Sequence, residues 1–292
     1  MSVDKLQEKI RRVKNPAVID MSPDSRMIPP SILEGAASWT DAYLLYIQEL
    51  MEALHGSVPA LRFQFNAFAL LGAEGLRVLG VVTKRAQRQG YYVLLDAPEA
   101  LSADRANQNA QLLLGENAPA SFDGLIVSSY IGSDGLKPYA KAIAKTGKSL
   151  FVVIRTPNKS ASELQDLLTG SRLVHMAMAD VVNHLETPAP GRCGYNQIGC
   201  AASATSADSL RTLRSKYKNM FLLVDGYGYS TANAKNCSYA FDSVGHGAIV
   251  CASSCVTMAW QEPDCPPQDY IRLAQEEVGR IKKNLSKYVT VL

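Results

Sequence analysis

The stretch "YYVLLDAPEALSADRANQNAQ", residues 91–111, contains a strand and the beginning of the segment after it. Tyr91 to Leu95 form an unbroken apolar and aromatic run of strand length, and Asp96 closes it. A strand buried on one face only alternates apolar with polar residues, whereas a parallel strand covered on both faces does not. After Asp96, Pro98 stands at a first-turn position and Glu99 three residues on, the spacing of a helix capping box. Asp96 therefore reads equally as a helix N-cap and as a carboxylate available for chemistry.

Seven more runs of the same kind occur along the chain. They are "AVIDMS" (17–22), "ALRFQFNA" (60–67), "GLIVSSY" (124–130), "SLFVVIRT" (149–156), "IGCAASA" (198–204), "MFLLVDG" (220–226) and "GAIVCASS" (247–254). Amphipathic segments such as residues 41–56 and 75–90 lie between them, with Gly56 and Gly90 placed to end those helices and Ser206 to Asp208 placed to start a later one. No G-x-G-x-x-G follows the first strand, so a dinucleotide fold is not indicated. Eight strand-then-helix units in 292 residues predict an α/β chain folded as one (β/α)8 TIM barrel over residues 1–292, with an N-terminal helix at 1–14 and a C-terminal helix at 266–292. The ligand site of such a barrel lies at the carboxyl ends of its strands. The residues to inspect are Met21, Ser22, Gln64 to Ala67, Asp96 to Leu101, Ser129 to Gly132, Thr156 to Lys159, Thr205, Asp225 to Thr231 and Ala252 to Cys255.

The composition is that of a folded protein, 47% hydrophobic and 20% charged. Net charge is +3 with the basic residues scattered, which argues against a nucleic-acid footprint. Residues 1–15 lack the apolar centre of a signal peptide, and no apolar run approaches the ~18 residues that cross a bilayer, so a cytoplasmic protein without membrane attachment is expected. The six cysteines have no zinc-like spacing and read as free thiols; no metal set and no cofactor motif emerges.

The strand ends, taken in order, resemble the orotidine 5'-phosphate decarboxylase family, in its longer bacterial type 2 branch. "NPAVIDMSPD" looks like N-P-x-x-x-G-L-D-P-D, and "LRFQFNAFALLGAEGLRVL" like V-K-x-Q-x-A-F-F-E-x-x-G-x-x-G. "SSYIGSDGLKPY" resembles N-P-Y-L-G-x-D-x-x-x-P-F, and "SLFVVIRTPNKSASELQDL" is similar to F-V-L-x-R-T-S-N-x-x-S-x-E-L-Q-D-L. "IGCAASATSADSLRTLR" and "FLLVDGYGYSTA" look like G-x-V-V-G-A-T-x-P-x-x-L-x-x-L-R and F-L-V-P-G-Y-G-A-Q-G. The likeness is collinear over residues 15–260.

The resemblance implies a homodimeric decarboxylase that binds a phosphorylated, nucleotide-like ligand. In the family the third strand ends D-x-K-x-x-D: the lysine protonates the carbanion left by carbon dioxide, and the second aspartate reaches into the partner's site. Here the first aspartate is Asp96, the lysine position is Pro98 and the trans aspartate is Leu101. Proline has neither a titratable group nor a backbone N–H. The ribose aspartate falls on Ser22, the second-strand lysine on Arg62, the pyrimidine-capping serine on Pro157, the phosphate glutamine on Ser230 and the phosphate arginine on Ser254. A serine lacks the charged, bidentate grip of arginine, and a charge-assisted hydrogen bond is worth about 1.5–3 kcal/mol.

The expectation is a divergent family member that does not decarboxylate orotidylate by the family mechanism, with Ser22, Arg62, Asp96, Asn158, Ser230 and Ser254 nearest any ligand. Gly226 and Gly228 read equally as an anion cradle and as plain turn residues. Two other readings stay open: a working decarboxylase of pyrimidine biosynthesis, and a barrel retooled around Asp96 or Cys255 with Tyr130, Tyr227 and Tyr229. Lys84 and Arg85 read as outer helix residues. His246 reads as a loop residue before the last strand, and His55, His175 and His184 show no carboxylate partner in sequence.

Overall fold

The computed structural model describes residues 1–185, 189–228, 232–262 and 266–292. Eight parallel strands close into a barrel: β1 (Ala17–Asp20), β2 (Ala60–Gln64), β3 (Tyr92–Asp96), β4 (Gly124–Ser128), β5 (Ser149–Arg155), β6 (Ile198–Ser203), β7 (Leu222–Asp225) and β8 (Ala248–Ala252). Each pairs with its sequence neighbours, and β1 pairs with β8 to shut the ring, as in Ala17 opposite Val250. All eight apolar runs are strands, so the (β/α)8 expectation holds. Seven strands stop one to three residues short of their runs, where the chain leaves the ring for the loops of the rim, and β3 ends at the Asp96 that closes its run.

Helices cover the outside. Trp39–Ala53 begins with Ser38, whose side chain accepts from the Asp41 N–H, and buries Tyr43, Tyr46, Ile47 and Leu50. Gly72–Arg88 buries Val78, Leu79 and Val82, each aliphatic side chain contributing roughly 1.5–3 kcal/mol of transfer free energy. Gly90 then turns the chain back into β3 with φ of 87°, a conformation in which a side chain would be strained. Ser206 caps Ala207–Lys216 by accepting from Ser209 N–H at 3.4 Å.

One local expectation is overturned. The helix after β3 does not start at Asp96 but at Ala103, with Ser102 as its cap accepting from Arg105 N–H at 3.3 Å. Residues 97–100 are irregular, and the Pro98 carbonyl accepts from Asn109 Nδ2 at 2.9 Å. Asp96 is thereby free of any capping duty.

The amino end of the ring is plugged. Helix Ser2–Val13 buries Val3, Leu6 and Ile10, while Gln7 Oε1 accepts from Gly247 N–H at 3.0 Å and Ser2 Oγ donates to the Asp123 carbonyl at 2.8 Å. Helix Tyr270–Ser286 buries Leu273, Val278, Ile281 and Leu285 on the flank. The open end is therefore the carboxyl rim. Among the described residues no helix is long and apolar enough to cross a membrane.

Candidate functional site

At the rim, three strands end in aspartate: Asp20 on β1, Asp96 on β3 and Asp225 on β7. Arg62 of β2 lies between them. Its Nε and Nη2 donate to both oxygens of Asp96 at 2.9 and 2.5 Å, and its Nη1 donates to Asp225 Oδ1 at 2.5 Å and to Cys251 Sγ at 3.4 Å. Asp20 Oδ2 stands 4.0 Å from Arg62 Nε. Asp20 is held by its neighbours: the Ser22 N–H and hydroxyl donate to Oδ1 at 2.9 and 2.5 Å, and Gln64 Nε2 donates to Oδ2 at 2.5 Å.

Burial and charge pull these groups in opposite directions. Desolvation alone would push the Arg62 guanidinium down, yet Asp225 and Asp96 outweigh it and hold the group well above its ordinary value. Burial pushes Asp96 up to about 6; Arg62 opposes this, while Asp20 and Asp225 add to it. The cluster thus carries more carboxylate than guanidinium. Cys251 is a thiol kept protonated, mainly by burial.

The cluster forms the acidic side of a cavity of about 520 Å³, within the range of small-molecule sites. Phe65, Ile126, Val127, Val153, Pro157 and Tyr227 supply its apolar wall, and Glu99 joins the acidic side. Arg62 is the only cation lining it among the described residues, and no lysine does. Lys84 is exposed on the outer helix, where Arg85 pairs with Glu52 at 2.6 Å.

The residues singled out in the sequence divide. Arg62, Asp96, Gly226 (φ 90°) and Tyr227 line the cavity. Ser22 braces Asp20 and also accepts from the Gln64 N–H at 2.8 Å, which makes it a support one step behind the wall. Asn158 is exposed and accepts from Thr156 Oγ1 at 2.5 Å; Thr156 and Pro157 line the cavity in its place. Ser254 is the exposed first residue of a short helix, and its neighbour Ser253 does the lining. Gly228 has φ of 98° and is exposed outside the lining. Ser230 and Tyr229 lie outside the described residues. Pro98 and Leu101 sit in the irregular loop after β3, with Leu101 87% exposed.

Two of the retooled-chemistry candidates, Cys255 and Tyr130, are otherwise engaged. Burial raises the Cys255 thiol to about 11, which suppresses the reactive thiolate, and the residue does not line the cavity. Tyr130 donates to the Ile154 carbonyl at 2.6 Å. His246 precedes β8 and contacts the Leu292 carbonyl through Nε2 at 2.9 Å. His175 does have a carboxylate partner that the sequence did not reveal: its Nδ1 lies 3.2 Å from Asp166, which also receives Arg155 Nε and Nη2 at 3.1 and 2.8 Å. This second network ties β5 to the loop beyond it.

Asp20 is the functional residue that sequence reasoning missed, and Asp225 stood among the strand-end residues without a role of its own. The signal was present: "AVID", "YVLLD" and "LLVD" are three apolar runs each closed by aspartate. A carboxylate at the last inward position of a barrel strand lies at the rim.

No protein-family model matches the chain. An orotidine 5'-phosphate decarboxylase from Rhodopirellula baltica is 27% identical over 263 residues, covering 87% of each chain. Among solved structures, the OMP decarboxylase of Leishmania donovani superimposes with a TM-score of 0.71 at 25% identity, covering 97% of this chain and 99% of that one. The orotidine 5'-monophosphate decarboxylase of Methanocaldococcus jannaschii, solved with the inhibitor BMP, gives a TM-score of 0.63 at 14% identity over 93% of this chain and 98% of that one. With a closed (β/α)8 barrel and relatives of one name matching most of its length, the chain is similar over nearly its whole extent to proteins named orotidine 5'-phosphate decarboxylase.

Proposed function

We propose that the chain is a cytoplasmic, homodimeric member of the orotidine 5'-phosphate decarboxylase family that binds a nucleotide-like, phosphorylated ligand at the barrel mouth and does not decarboxylate orotidylate through a lysine proton donor. One observation carries the reading: the cavity's only cation among the described residues is Arg62, already committed to Asp96 and Asp225. A guanidinium with a pKa above ~12 is a poor acid toward carbon, and beside two carboxylates it is held more firmly in its charged form. Nucleotide-like binding is supported by the size of the cavity and by the inhibitor complex of the Methanocaldococcus relative. In this reading the base faces Arg62 and the phosphate faces the Gly226 turn.

A second reading, a working decarboxylase of pyrimidine biosynthesis, is favoured by the names of the relatives. Orotidylate turnover by the purified protein separates the two, measured in parallel with thermal shifts in orotidylate, uridylate and inorganic phosphate. The first reading expects a shift with uridylate and no turnover above background. Turnover on the order of 1 per second or faster would establish the second.

A further inference from the structure

The charges lining the cavity define the inward end of its ligand. The Nε and Nη2 groups of Arg62 donate to Asp96, and Nη1 donates to Asp225 and Cys251, so four of its five N–H bonds are directed at the protein. The acceptors are not exhausted in the same way: the Asp96 and Asp225 side chains are 22% and 16% exposed, and both line the cavity. Glu99 adds another carboxylate at the rim, where it accepts from Asn66 Nδ2 at 2.7 Å. A carboxylate entering this space would face the negative charge of Asp96, Asp225 and Glu99, and the single guanidinium there already pairs with two of them. A group bearing N–H bonds would find acceptors on one side, while its ring lies against Ile126, Val153 and Pro157 on the other.

We infer that the cavity selects a ligand whose inward end is a hydrogen-bond-donating or cationic nitrogen group, such as an amino-substituted or protonated heterocycle, and discriminates against one that ends in a carboxylate. This rests on the nucleotide-like reading above for the rest of the ligand. It concerns Asp225 in particular, because that carboxylate brings the local count of aspartates to three against one guanidinium.

The test compares binding of uridylate, cytidylate and orotidylate by calorimetry, with benzamidinium as a phosphate-free cation. Cytidylate should bind at least as tightly as uridylate, and orotidylate at least tenfold more weakly than uridylate. Asp225→Asn should narrow the orotidylate gap severalfold. Glu99→Gln, on an exposed side chain outside the Arg62 cluster, should narrow it less and serves as the second variant if Asp225→Asn fails to fold. Orotidylate binding as tightly as uridylate would overturn the inference and leave nucleotide binding standing. Benzamidinium binding that Asp225→Asn abolishes, with no nucleotide bound, would support the charge selection and remove the nucleotide reading. Failure of every probe to bind would remove both.

Discussion

Arg62 grips Asp96 through two parallel hydrogen bonds, Nε to Oδ1 at 2.9 Å and Nη2 to Oδ2 at 2.5 Å, joining the neighbouring strands β2 and β3 at the barrel mouth. The same guanidinium reaches Asp225 on β7, so one cation offsets carboxylates from two directions. Removing it leaves those carboxylates poorly solvated and unpaired. Arg62→Met should therefore destabilise the fold by about 3–5 kcal/mol at neutral pH, whereas Asp225→Asn, which leaves the Asp96 pair intact, should cost about 1 kcal/mol or less. Urea unfolding of both variants measures the contrast, and equal losses would contradict it.

Asp96 sets a pH dependence whose sign is fixed. Burial raises it to about 6 from 3.8, so between those values the folded protein holds a proton that the unfolded chain has released. Its contribution is fully present below 3.8 and is lost as pH rises through 6. The total is at most roughly 3 kcal/mol. Asp96→Asn cannot titrate, so the stability of the native protein relative to this variant should fall as pH rises from 3.8 to about 6 and level off above that. A difference that is flat or grows with pH would show that the carboxyl is not held protonated.

Leu70 and Leu101 are 88% and 87% exposed, and they follow the adjacent strands β2 and β3 at the rim. In the proposed homodimer, large aliphatic groups so exposed on loops after adjacent strands are candidates for the interface. Leu70→Glu combined with Leu101→Glu should weaken self-association at least tenfold in sedimentation, with the far-ultraviolet circular dichroism unchanged. A dimer of undiminished strength would place the interface elsewhere.

Gly226 holds φ of 90°, and a Cβ there would lie 3.0 Å from Ser203 Oγ and 3.3 Å from Pro157 Cβ. Gly226→Ala should cost about 1–2 kcal/mol from the left-handed backbone alone. Because the turn lines the cavity, the variant should also lose any thermal shift seen with uridylate. A normal shift would separate this turn from ligand binding.

The barrel was legible because its strands are buried on both faces, which leaves runs such as "FVVI" and "FLLV" unmistakable in sequence. The strand ends were less so. Asn158 and Ser254 were placed by the family pattern, but both are exposed, and the residues just before them, Pro157 and Ser253, line the cavity. Asp20 was hidden for the opposite reason: the pattern directed attention two residues on, to Ser22, which is the brace and not the wall. The pairing of Asp166 with His175 depends on how the loop after β5 folds back, and no local periodicity encodes that.

Arg62 also spans the lumen like a spoke, touching Asp96 on one side of the ring and Asp225 on the other. Whatever draws that side chain away slackens β3 and β7 together, although they are separated by three other strands on one arc. Occupancy of the mouth and stiffness of its perimeter are therefore tied to a single torsion chain.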